Sequence, residues 1–233
     1  MAKLAVSSKR KAVYQWLLAR IIAGDFAPNT PLVIDELART LDVSPIPIRE
    51  ALQQLEAEGF VVIRPYAGVT VSDLKPGMIS EIFVLLETVE VISGRMACLN
   101  VCDDNLVEIE RLLRQMDQVL DDPDEWSQLN AEFHKLICQC SGATLVTDIM
   151  ERMLLHWDRL RRHYLEDVFG KRIDKAHADH WQMYYAIRDR DPDRLEAVVR
   201  EHNRSALKDY IDHLHRSGYG DDQVPVVWSL EAT

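Results

Sequence analysis

The chain has 233 residues, 47% hydrophobic and 28% charged, a composition that folds around buried cores and excludes a disordered polymer. The formal net charge of −11 argues against a polyanion-binding surface over the whole molecule, but it is unevenly placed: residues 1–75 hold nine Lys/Arg against eight Asp/Glu, and residues 76–233 hold 18 against 30. No run of 18 apolar residues crosses a membrane, and the basic start MAKLAVSSKRKAVYQWLL lacks the apolar segment and cleavage site of a secretory leader, so a cytoplasmic protein is expected.

The first third alternates short helical patterns with turn signals. Residues 9–23 set Val13, Trp16, Leu17, Arg20 and Ile21 at helical spacing, and Gly24-Asp25 closes the helix. A turn at Ala27-Pro28-Asn29-Thr30-Pro31 leads to a short helix over 34–41. After Asp42-Val43, a third helix is expected from about Pro45 to Glu58, ended by Gly59. Ser44 suits its N-cap, and Pro45 at the first helical position lacks only an N–H that would be orphaned anyway. Ile48, Leu52 and Leu55 form its buried stripe, which leaves Arg49 and Gln53 together on a face that the core does not need. Two short β-like runs, 60–63 and 68–71, joined by Arg64-Pro65-Tyr66-Ala67, make a hairpin.

Beyond Pro76-Gly77 the pattern is helical throughout, over about 78–100, 103–121, 124–140, 145–168, 171–190 and 192–215. The breaks fall at Asp121-Asp122-Pro123, Ser141-Gly142, Gly170 and Asp191-Pro192. Residues 217–233 carry little periodicity and are expected to form a flexible tail. Cys98, Cys102, Cys138 and Cys140 sit within helical patterns without zinc-knuckle spacing, as reduced core cysteines do. The expected architecture is therefore mainly α: a winged helix-turn-helix domain over 1–75, an all-α bundle over 76–216, and the tail.

Two helices joined by a short turn and followed by a β wing can seat the second helix in the major groove of DNA. The residues from Ala23-Gly24-Asp25-Phe26-Ala27-Pro28 through Glu36-Leu37-Ala38, Leu41-Asp42-Val43-Ser44 and Pro47-Ile48-Arg49-Glu50-Ala51-Leu52 to Leu55-Glu56-Ala57-Glu58-Gly59 resemble, in order and spacing, the GntR family of regulators. The resemblance implies that Ser44 and Arg49 contact an operator, Arg49 by bidentate bonds to guanine or to a phosphate. Gln53 shares that face, Arg64 lies in the wing, and Gly68 gives the wing tip its backbone freedom. The family commonly has an arginine directly after the serine. Here Pro45 stands there, followed by Ile46, which offers an apolar contact to a thymine methyl instead.

In the helical part, Asn130-x3-His134, Ser141-Gly142, His180 and His202 resemble the FCD domain, the effector domain of the FadR subgroup within that family. The resemblance implies that Asn130, His134, His180 and His202 converge on one divalent metal. Three imidazoles and an oxygen suit Zn²⁺ or Ni²⁺. The family's usual aspartate is replaced by Asn130, a neutral and weaker oxygen ligand. Members commonly sense small carboxylates through the metal and an arginine on the domain's first helix, a position held here by Leu86. Arg95, Trp157 and Arg161 are the remaining effector-binding candidates. The expected function is a homodimeric, ligand-responsive regulator, a repressor that reads an inverted-repeat operator and is released by a small molecule such as an organic acid. The competing expectation is a metal-dependent enzyme using the three histidines. It lacks a well-placed base, because Glu132 points to a different helix face from His134, and it leaves the first third without a purpose.

Overall fold

In the computed structural model, which describes residues 2–224, the chain divides after Leu74 into two units, each with its own core. The first contains α1 (Ala2–Ala23), α2 (Ile34–Thr40), α3 (Pro45–Ala57), β1 (Val61–Arg64) and β2 (Gly68–Val71). Helix α1 starts seven residues before the periodic stretch 9–23, because residues 2–8 contain no Gly or Pro to stop it. Leu17 and Ile21 of α1 pack with Ile48, Leu52 and Leu55 of α3 and with Phe60, all of them fully buried. This is the i, i+4, i+7 stripe that the sequence lays out. Strands β1 and β2 pair antiparallel, from Val61 opposite Val71 to Arg64 opposite Gly68. The outer edge of β2 is covered by the turn segment before α2, where Leu32 N–H donates to Val69 at 2.9 Å and Val71 N–H donates to Thr30 at 2.9 Å.

Ser44 holds the extended backbone of an N-cap (φ −69°, ψ 161°), but its side chain makes no capping bond. One of its two usual donors is missing from the helix. The third helical residue is Pro47, which has no N–H to give to a cap hydroxyl. The hydroxyl thus stays exposed.

The second unit is helical among the described residues. It comprises α4 (Met78–Asn100), α5 (Asp103–Met116), α6 (Pro123–Cys140), α7 (Thr144–Tyr164), the short α8 (Glu166–Phe169), a 3-10 turn (Gly170–Arg172), α9 (Ile173–Arg188) and α10 (Pro192–Arg216). Asp122 caps α6 by accepting from the N–H groups of Asp124 and Glu125, and Asp191 caps α10 by accepting from Arg194. Each is followed by a proline at the first helical position, where the ring costs no hydrogen bond. Gly94 lets α10 approach α4 closely: a Cβ there would meet Leu195 Cδ2 at 2.6 Å.

Three expectations are corrected. The stretch 145–168 is two helices, broken at Leu165 (φ −125°, ψ 10°), a fully buried residue with neither Gly nor Pro beside it to signal the break. The tail does not begin at Ser217 as a loose segment: Tyr219 packs edge-on against Tyr164 (5.6 Å) and Val224 is buried in the core. Residues 225–233 lie outside the described residues. The four cysteines are free thiols, but Cys102 is exposed at the N-cap of α5, whereas the other three are buried. No helix among the described residues is long and apolar enough to cross a membrane.

Candidate functional site

Two separate surfaces carry the chemistry. On α3, burying Ile48, Leu52 and Leu55 turns Ile46, Arg49 and Gln53 outward, and all three are exposed together with Ser44 at the helix entry. Among the described residues Arg49 and Arg64 have no ion pair within the chain, so their charges are available to an outside partner. The wing places Arg64 and Gly68 opposite each other at the end of the ladder, with Gly68 at φ +93°. Sequence reasoning passed over Tyr66 between them. It is fully exposed in a left-handed conformation (φ +64°) that aromatic residues seldom adopt. Its visible signal was an aromatic residue in a turn.

In the helical unit, α6 brings Asn130 and His134 inward on one face, α9 supplies His180, and α10 supplies His202; all four are buried. One ligating atom from each of the three histidines lies within 4.8 Å of the others. Nitrogens each about 2.1 Å from one tetrahedral ion are about 3.4 Å apart, so closure by up to roughly 1.4 Å brings the set to coordinating distance. His180 is the most telling member. It is fully buried, both ring nitrogens lack a hydrogen-bond partner, and Trp126 stacks on it at 5.6 Å. Burial, then the neighbouring His202, His134 and His177, hold its pKa well below the usual 6.5, so the ring is a neutral imidazole, the form that binds a cation. A buried polar ring with two orphaned nitrogens is costly unless something else occupies one of them. The residues present therefore fit a divalent ion.

The other two histidines are oriented from behind. His134 Nδ1 lies 3.0 Å from Glu90 Oε1, and His202 Nδ1 lies 3.3 Å from Asp179 Oδ2, which leaves Nε2 of each ring free for the cluster. Glu90 is buried, and its second oxygen accepts from Asn203 Nδ2 at 2.6 Å. Burial pushes its carboxyl up, but His134, His202 and Asn203 together outweigh that, and its pKa lies below the usual carboxylate value. Glu90, Asp179 and Asn203 were not singled out from the sequence. Glu90 could have been suspected, as an acidic residue on an otherwise apolar stretch of α4.

A cavity of about 50 Å³ lies beside the cluster, walled by Phe83, Leu86, Trp126, Trp157, Phe169 and Tyr210 and reached by Glu90, Asn130, His134, His202 and Arg172. Asn130, Leu154 and Trp157 also line an outer cleft of about 390 Å³ flanked by α6 and α7. Of the three effector candidates, only Trp157 faces the cavity. Arg95 does not: it is drawn to the α4–α10 seam by Asp193 (2.7 Å) and Glu196 (2.9 Å). Arg161 is buried behind the wall, paired with Asp158 (2.8 Å) and Asp124 (3.1 Å) over the ring of Phe169. The cation that does line the cavity is Arg172, on the 3-10 turn before α9, a position that periodicity does not distinguish from a surface arginine.

The FCD domain family matches residues 81–205, and the family described as bacterial regulatory proteins, gntR family, matches residues 9–71. The chain is 25% identical over 192 residues to the HTH-type transcriptional repressor RspR of Escherichia coli K12, covering 82% of this chain and 83% of that protein. It is 29% identical over 212 residues to an HTH-type transcriptional regulator of Streptomyces ambofaciens, covering 90% and 88% of the two chains. The fold is similar to that of E. coli McbR/YncC, with a TM-score of 0.74 over 88% of this chain and 98% of the other at 18% identity. With the gntR family match in one unit and an FCD domain spanning more than half of its length in the other, the chain belongs to the GntR family of bacterial transcription regulators.

Proposed function

We propose that this protein is a ligand-responsive repressor of metabolic genes, of the FadR subgroup, acting in the cytoplasm as a homodimer on an inverted-repeat operator. The observation that carries the sensing half of this reading is His180, a buried neutral imidazole with two unpartnered nitrogens, next to His134 and His202 and beside a cavity walled by aromatic rings. His134, His180 and His202, with the amide oxygen of Asn130, would hold Zn²⁺ or Ni²⁺, and that ion would supply a Lewis-acidic anchor for an effector oxygen. On the DNA side, Ser44, Ile46, Arg49 and Gln53 of α3 would meet base edges in the major groove, and Arg64 and Gly68 would set the wing against the backbone. Each monomer presents one reading helix, so a dimer would cover two half-sites related by a two-fold axis.

Selection of bound DNA from a random pool, followed by footprinting and elemental analysis of protein purified without chelators or a histidine tag, tests the reading. The expected result is an inverted repeat protected by two chains per duplex, one metal per chain, and release of the DNA by a small molecule that also raises the melting temperature. An asymmetric single half-site bound by one chain would refute the dimeric reading. A protein free of metal that gains no thermal stability from Zn²⁺ or Ni²⁺ would refute the metal.

A further inference from the structure

We infer that Tyr66, at the tip of the wing, enters the minor groove of DNA beside the half-site that α3 reads, where its ring selects A·T pairs. This rests on the DNA-binding reading above and adds a specificity-determining residue to it.

The turn that carries Tyr66 suits a different residue. Ala67 N–H donates to the carbonyl of Arg64 at 3.1 Å, so Arg64 to Ala67 form a four-residue turn with Pro65 second and Tyr66 third. Proline fits the second position of such a turn. A positive φ at the third marks the type in which glycine or asparagine is preferred there. Tyr66 has φ +64°. In that backbone the Cβ crowds the neighbouring carbonyl oxygen, a cost that glycine escapes. Nothing within the chain offsets it: the side chain is fully exposed and makes no hydrogen bond or ring contact among the described residues. A strained tyrosine that touches nothing of its own chain points to a partner outside it.

Charge and shape select the partner. Residues 60–72 contain one charged side chain, Arg64, and no acid, in a chain whose formal net charge is −11. Arg64 is exposed at the end of the ladder, two residues from Tyr66. Such a tip can approach phosphates that the acidic remainder of the chain repels. Strand β1 follows α3 closely, so with α3 in the major groove the wing reaches the groove beside it. The minor groove is about 6 Å wide and 7.5 Å deep, which admits one aromatic ring edge-on between its sugar walls; the major groove, about 12 Å wide, would leave that ring largely uncovered. The groove floor then sets the preference. A·T pairs present only acceptors there, A N3 and T O2, to which the phenol O–H can donate. A G·C pair adds the guanine N2 amino group, which obstructs the ring and offers a donor where an acceptor is wanted. Arg64 pulls the same way, because the narrow minor groove of A·T runs attracts arginine.

The test uses the full-length protein and the duplexes recovered by selection from a random pool. Pairs flanking the α3 half-site are replaced by G·C, or by inosine·C, which resembles G·C in the major groove but lacks the amino group in the minor. Wild-type affinity should fall about fivefold or more with G·C at the sensitive positions and recover with inosine·C. Tyr66→Gly and Tyr66→Asn both accept the backbone of the turn. Each should melt above the wild type, bind the A·T-flanked duplex about fivefold or more weakly, and show no flank preference. Tyr66→Phe should keep most of the affinity and lose part of the preference. Opposite signs for stability and affinity separate a ring held for DNA from one held for the fold. Wild-type affinity in both the Gly and Asn variants, an unchanged flank preference in them, or inosine·C behaving as G·C would each overturn the inference. So would variants that melt below the wild type, which would make the ring part of the fold. Weak binding by the Gly variant alone would assign the loss to backbone freedom, and weak binding that tracks dissociation into monomers in sedimentation would assign Tyr66 to a protein contact; either also overturns the inference. Wild-type protein that recovers no duplex would defeat the DNA-binding reading itself, whereas silent Tyr66 variants beside a weakened Arg49→Ala would defeat only the role of the ring.

Discussion

Glu90→Gln is the sharpest probe of whether the histidine cluster holds a metal, because the substitution conserves volume and changes only who can donate to whom. Both oxygens of Glu90 accept, one from His134 Nδ1 at 3.0 Å and one from Asn203 Nδ2 at 2.6 Å. A glutamine offers one oxygen and one NH₂ group, so in either orientation one of the two buried donors faces another donor. If the amide keeps Asn203, His134 loses the bond that fixes its tautomer and turns Nε2 toward the cluster. Loss of such an orienting partner typically weakens a metal 10–100-fold, about 1.4–2.8 kcal/mol at 1.4 kcal/mol per tenfold. The apo protein should suffer less. Losing a charge-assisted bond costs about 1.5–3 kcal/mol, but the variant no longer buries an ionised carboxylate, and the two effects offset. Competition against a chromophoric Zn²⁺ chelator gives the affinity, and thermal melts with and without Zn²⁺ show whether the loss is confined to the metal-bound state. A folded Glu90→Gln protein with wild-type Zn²⁺ affinity would refute the idea that Glu90 sets up His134.

Three further outcomes are expected. Arg49→Ala should leave the fold intact, since the residue is exposed, and should cost about 1–3 kcal/mol of operator affinity with most non-specific binding retained. A gel-shift titration at fixed salt that shows no loss would remove it from the reading face. Asn130→Asp adds an anionic oxygen one helical turn from His134 and should tighten Zn²⁺ or Ni²⁺ in the same chelator assay; equal or weaker binding would mean that this position does not reach the ion. In the metal-free protein, the folded state resists protonating His180 while the unfolded chain takes that proton near the usual 6.5. Stability should therefore fall as pH drops below about 6.5, by up to about 1.4 kcal/mol per pH unit, until the folded-state pKa is reached. Urea denaturation from about pH 7.5 to 5.5 should show this slope in the wild type and a shallower one in His180→Gln; identical slopes would contradict it.

What was legible in the sequence follows a physical division between local and distant causes. The α3 stripe, the proline entries after Asp122 and Asp191, and the pairing of Asn130 with His134 on one face all follow from spacings within one element, which helical geometry converts directly into position. The break at Leu165 was hidden because no Gly or Pro stands beside it to mark the interruption, and the residue is fully buried. The same limit governs the cluster's support: Asn203 lies 113 residues from Glu90, and nothing in the pattern around either predicts that α4 and α10 meet there. Charge was the least legible property of all. Arg95, Arg161 and Arg172 are each an arginine on or beside a helix. Asp193 and Glu196 draw the first to a seam, Asp158 and Asp124 hold the second behind the wall, and only the third, with Asp209 half exposed behind it, turns toward the cavity. An arginine becomes a recognition group only when the acidic residues around it leave donors to spare, and that balance is set by partners from other elements. For Arg172 those partners are Ser205 and Asp209 on α10, the helix that also carries His202 and Asn203, so one element fixes both the cation and part of the histidine cluster beside the same cavity.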